Sequence, residues 1–397
     1  MFFNPRVRRR RPSPASIALL APWLGMALAG PACSSRAQQS ETSGATASRP
    51  AARASASDPH AATYDAFSNL GYAPQWNSYA RVAPGRQIKF LNAQSDAVVA
   101  HESGNTITIL ESTTGARRWA LDLGSPLAKF VGNVRRNTEE LLSCSESEVF
   151  VLDIRTGVIK DRQRLAVLAN TRPVLAESML IFGCTTGEVL GHNLSSGYKQ
   201  WGYALSNTIT ANPVPIGPDV AVVSQAGEVV VLDSRTGRGM GAGARIFGGL
   251  DNHPVTDEST IYIASNDQSV WAFDRAGGRA KWRYRTEHPL RAQPTLHDGR
   301  LIVYIPGMGL TAFDAYTGSV LWKCAEAKGS VIGVRAGRLL EWDAAAKVAH
   351  TIDPVRGEVV QTASLPGVLV ITTDSFTDGS IYTAGAGGLV QKFSPKP

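Results

Sequence analysis

The strongest constraint on this chain is a nonapeptide that recurs with small variation: ITILESTTG (107–115), VFVLDIRTG (149–157), VLGHNLSSG (189–197), VVVLDSRTG (229–237), VWAFDRAGG (270–278), LTAFDAYTG (310–318) and AHTIDPVRG (349–357). The closing glycines lie 42, 40, 40, 41, 40 and 39 residues apart. A fixed period near 40, made of short β-rich runs and turn residues, is the mark of a β-propeller and not of a helical solenoid. Each period reads as four antiparallel strands. Residues 211–245 show this, with NPVPI, VAVVSQ and EVVVLDS followed by a weaker run. The aspartate of D-x-x-T-G is expected to accept backbone N–H bonds in an Asx turn, and the glycine to supply the positive φ that starts the outer strand.

Two further markers keep the same phase. Pro173, Pro213, Pro254 and Pro294 fall 16 or 17 residues after a turn glycine, at the start of the innermost strand, where a missing N–H is tolerated. Trp119, Trp201, Trp282 and Trp322 each fall four residues after a turn glycine, on the outer strand, where an indole would pack between neighbouring blades.

The chain ends fix the blade number. A last set of inner strands, at Ser380–Tyr382 and Leu389–Phe393, runs out at Pro397 without an outer strand. Near the other end, Trp76 precedes Trp119 by 43 residues and belongs to no complete blade. Tyr72 to Arg81 should therefore supply the missing strand and remove the free sheet edges. The expected fold is all-β, an eight-bladed propeller of four-stranded blades spanning 71–397, closed by an N-terminal strand in the last blade.

Upstream, Arg6 and Arg8–Arg11 supply five of the formal +7 charges and are followed by the apolar run Ser16 to Gly30. That run is short for a membrane span and suits the h-region of a secretory signal, so 1–32 reads as a signal peptide and the protein as exported. The charge left after its removal is too small to suggest a nucleic-acid partner. Residues 33–70, rich in Ala, Ser and Thr, read as a flexible tether. Pro31-Ala32-Cys33-Ser34-Ser35 resembles a bacterial lipoprotein signal, which would place a lipid anchor on Cys33; ordinary cleavage near Ala29 or Ala37 is the alternative.

The pattern A-x-D-x-x-T-G-x-x-x-W, nearly whole at Ala312 to Trp322 and Ala272 to Trp282, resembles the repeat shared by quinoprotein alcohol dehydrogenases and outer-membrane assembly lipoproteins of the BamB type. The first resemblance implies pyrroloquinoline quinone with calcium at the channel mouth, often against a pair of adjacent cysteines. Here Cys33, Cys144, Cys184 and Cys324 are all separated, and the blades carry no long insertions from which a cofactor lid could be built. The second resemblance implies a non-catalytic scaffold, with no cofactor and no metal. It would be a monomer at the inner face of the outer membrane or in the periplasm, held by its lipid and bound to an outer-membrane β-barrel assembly component.

Cys144 and Cys184 hold equivalent places in adjacent blades, too far apart to bridge, and read as buried free thiols. The residue before each inner-strand proline, extended by register, gives Gln87, Phe130, Arg172, Asn212, His253, Gln293, Gly333 and Thr372, with Asp251 and Arg291 close by. The polar members could form a recognition ring at the channel mouth, or simply hydrate the channel. On either reading Arg172 and His253 should be replaceable together without loss of the fold.

Overall fold

The computed structural model describes residues 61–397 apart from 126 and 277. The signal peptide, Cys33 and most of the expected tether lie outside the described residues. Eight four-stranded antiparallel sheets follow one another in chain order, and the eighth is completed by Tyr72–Tyr79 pairing with Leu389–Pro395. The strand closure is the one the sequence implied.

One boundary needs correction. Ala61–Asn69 is an α-helix, although the sequence placed it in the tether. Nine residues are too few for a helix to persist alone, so packing must hold it. Phe67 stacks on Phe393 with ring centroids 4.0 Å apart, and Ala66 and Leu70 are buried in the same cluster as Trp342 and Leu365 of blade seven. The helix ends at Gly71, whose φ is +85°. Lys396 Nζ then donates to the Ser68 carbonyl at 3.1 Å, which ties the helix to the C-terminus.

The turn chemistry follows from the repeat. Asp153 Oδ1 accepts from the backbone N–H of Arg155 and Thr156 and from the Thr156 hydroxyl, and Asp233 and Asp314 repeat all three bonds. These bonds hold the Asp153, Asp233 and Asp314 carboxyls below their ordinary pKa.

What joins the blades is the outer-strand tryptophan. Each indole lies on the turn glycine of the next blade: Trp76 on Gly115, Trp119 on Gly157, Trp201 on Gly237, Trp282 on Gly318 and Trp322 on Gly357. Each Nε1 donates to the carbonyl three residues before that glycine, namely Ser112, Ile154, Ser234, Ala315 and Pro354, at 2.8–3.2 Å. A Cβ on Gly357 would meet the Trp322 ring at 2.5 Å, so the glycine is required for the contact as well as for its φ of +73°.

The other three junctions improvise. In blade two the tryptophan position is Asp161, and Gln163 reaches across instead, its Nε2 donating to the Leu194 carbonyl at 2.9 Å. In blade four the position is Gly241, whose backbone lies directly against the Ala276 carbonyl of blade five. Between blades seven and eight the N-terminal helix fills the gap.

Candidate functional site

The inner strands begin on the face that carries the connections from each outer strand to the next blade. This face holds the predicted ring, and blades three to six behave differently there from the rest. A proline fixes the start of the inner strand in each of these four, which leaves two or three paired residues: Val174–Ala176, Val214–Ile216, Val255–Thr256 and Thr295–His297. The residue before each proline is held extended, and its side chain is free to reach sideways.

Those side chains link neighbouring blades. Asn212 Oδ1 accepts the Arg172 backbone N–H, His253 Nδ1 accepts that of Asn212, and Gln293 Oε1 accepts that of His253, each at 3.0 Å. Gln293 Nε2 donates back to the His253 carbonyl at 3.0 Å. The arc is thus a chain of side-chain staples on main-chain groups that the prolines and short strands would otherwise leave unpaired. His253 must be neutral at Nδ1 to accept, and burial, with the nearby Arg172 charge, lowers its pKa below the usual imidazole value. Replacing His253 would therefore leave the Asn212 N–H without this partner.

Elsewhere the register does not carry a ring. Phe130 is core, packed 4.5 Å from the His101 ring, and Gly333 is buried against the Phe376 carbonyl. Here the inner strands Phe130–Arg135 and Ser330–Arg335 lack the proline and run through the position with a bulge. Gln87 is exposed and uses its backbone in a bond with Ser103. Sequence reasoning missed Asn170 and Thr210, which staple one layer further out: Asn170 Nδ2 donates to the Ile209 carbonyl at 2.9 Å, and Thr210 Oγ1 to that of Leu250 at 3.5 Å. Both stand two residues before a ring position, as Asp251 and Arg291 do.

The groups on this face still free to meet a partner are few. Arg172 projects over Gly132, its charged form made costlier by the surrounding protein. Asp251 and Arg291 form an exposed ion pair at 3.3 Å. Leu127 and Phe247, in two of the blade-to-blade connections, are 92% and 84% exposed.

The donor set does not fit pyrroloquinoline quinone and calcium. The oxygen and nitrogen acceptors of Asn212, His253 and Gln293 are already filled by backbone N–H groups, and among the described residues no three His, Cys, Asp or Glu side chains converge on one point. Cys144, Cys184 and Cys324 are free, separate and buried, and burial pushes the Cys144 and Cys184 thiols up to about 12. No helix among the described residues is long and apolar enough to cross a membrane.

Comparison with known proteins agrees with this geometry. The family model described as outer membrane protein assembly factor BamB matches residues 97–284 and 248–370. The outer membrane protein assembly factor BamB of Bordetella pertussis is 31% identical over 156 residues, which is 38% of this chain and 39% of that protein, so the match spans about two fifths of the relative's length. The crystal structure of BamB from Moraxella catarrhalis superposes with a TM-score of 0.62 at 18% identity, covering 80% of this chain and 98% of that one. The computationally designed protein Ika8 superposes with a TM-score of 0.64 at 13% identity over 80% of this chain and 98% of its own; these two likenesses concern the fold. On the family match, which spans most of the propeller, this chain belongs to the BamB family of outer membrane protein assembly factors.

Proposed function

We propose that this protein is a non-catalytic scaffold of the cell envelope that assists the assembly of outer-membrane β-barrel proteins. The observation that carries the reading is membership of the BamB family across residues 97–370. In this reading the protein is exported, anchored through a lipid on Cys33 and bound to a component of the barrel-assembly machinery. The propeller contributes a rigid face. Because the ring side chains of blades four to six are spent on main-chain staples, the free chemistry left on this face is Arg172, Asp251, Arg291, Leu127 and Phe247. Exposed aromatic and aliphatic side chains beside a few charges suit a protein partner better than a small molecule held in a pocket.

The test is a cross-linked pull-down of the tagged full-length chain from its native envelope, compared with a Phe247→Glu, Asp251→Lys variant. The reading predicts enrichment of an outer-membrane β-barrel assembly protein, reduced about tenfold by the double substitution. Recovery of no such protein would overturn the reading, and undiminished recovery by a folded variant would overturn the assignment of the face.

A further inference from the structure

The weak junction between blades four and five opens a groove on the face opposite the ring. The outer strand of blade four has two residues, Ala244–Arg245, where that of blade five has six, Ala280–Arg285. Residues 237–243 read GRGMGAG, and their glycines let the main chain collapse onto the blade-five turn in place of an indole. On either side of Met240 lies a cavity. One, of about 650 Å³, is bounded by Gly239–Gly241, Ser259 and Ala276; the other, of about 500 Å³, by Val174–Ala176, Pro215 and Pro218. The two share Asp219, Met240 and Arg275, so they are halves of one groove with Met240, 40% exposed, at its middle.

The charge of this groove runs against the positive sign of the chain. Its central cation is neutralised: Arg275 Nε and Nη2 donate to Asp219 Oδ2 at 3.0 and 2.5 Å, and the Asp219 carboxylate is almost fully buried. Arg235 also lines the groove, exposed and without an ion pair among the described residues, since only its backbone N–H meets Asp233. Glu177 and Glu258 then stand on opposite sides of the groove, both exposed and with no ionic partner among the described residues. Asp274 joins them, its nearest cation being Lys281 Nζ at 4.0 Å. Strand addition is not the mode here, because the neighbouring edge is closed by main-chain bonds from Met240 N to the Val231 carbonyl and from Asp233 N to that of Arg238.

We propose that this groove docks an extended segment of a partner polypeptide in which a lysine or arginine lies beside apolar side chains. The apolar residues would lie on Val174, Pro215, Pro218 and Met240, and the cation would meet Glu177 or Glu258. The charge complementarity is what selects this occupant over an acidic peptide or a bare lipid surface. The inference concerns the opposite face from the one proposed above, so either can fail without the other.

The test uses the full chain and two blocked, fluorescent hexapeptides, one alternating valine with lysine and the other valine with glutamate, followed by anisotropy. The lysine peptide should bind about tenfold more tightly than the glutamate peptide, and Glu177→Lys with Glu258→Lys should remove that preference while leaving thermal unfolding unchanged. Met240→Lys should weaken binding of the lysine peptide on its own. Equal binding of both peptides, or full retention by the folded double variant, would overturn the proposal. So would a self-associating chain that Met240→Lys renders monomeric in sedimentation, since the groove would then be a contact between copies.

Discussion

The junction between blades six and seven and that between blades four and five span the same period but close in different ways. At the first, the Trp322 ring covers Gly357 and its Nε1 donates to the Pro354 carbonyl at 2.8 Å. At the second, Gly241 holds the tryptophan position and main chain meets main chain. The difference shows that the 40-residue period specifies the blade, whereas one side chain specifies how tightly each blade seals against the next. At the unsealed junction Met240 stands in a groove where the indole would otherwise lie.

Substitutions at the two junctions should separate them. Trp322→Ala, which removes a nearly buried indole and its hydrogen bond, should cost about 3–5 kcal/mol in chemical denaturation. Gly357→Ala should cost about 2–4 kcal/mol, because it places a Cβ in the left-handed region and against the indole ring. Met240→Ala, at the open junction, should cost less than about 1 kcal/mol. Equal losses at the two junctions would break the comparison.

A second contrast concerns acid. Burial lowers the His101 pKa to about 4, the Lys89 charge adding to the effect and the contact with Asn133 opposing it. The folded state thus holds His101 neutral while the unfolded chain takes up a proton near pH 6.5. Its contribution is full above about 6.5 and is lost as pH falls toward 4, by about 2–3 kcal/mol at pH 4.5. Comparing the wild type with His101→Gln at pH 7.5 and 4.5 isolates this residue, since His192 and His253 shift in the same direction in both proteins.

Much of this was legible in the sequence for a physical reason. A turn needing positive φ, a proline tolerated only at a strand start and an indole needing a partner each leave a fixed residue at a fixed phase. The helix Ala61–Asn69 was not legible, because its surroundings are polar and low in complexity and its stability comes from Phe67 on Phe393, at the other end of the chain. The ring was half legible. The prolines located Arg172, Asn212, His253 and Gln293, but whether a polar side chain faces the channel or a neighbouring N–H depends on the spacing between blades. Where no proline stood, at Phe130 and Gly333, register alone misplaced the residues.

The scaffold reading is tested most directly by placing a photo-cross-linking residue at Phe247, on the ring face, and separately at Val355, exposed on the opposite face, in the full-length chain in its native envelope. The account predicts an adduct with an outer-membrane β-barrel assembly protein at 247 and none at 355. An adduct with that protein at 355 alone, or at neither position, would contradict it.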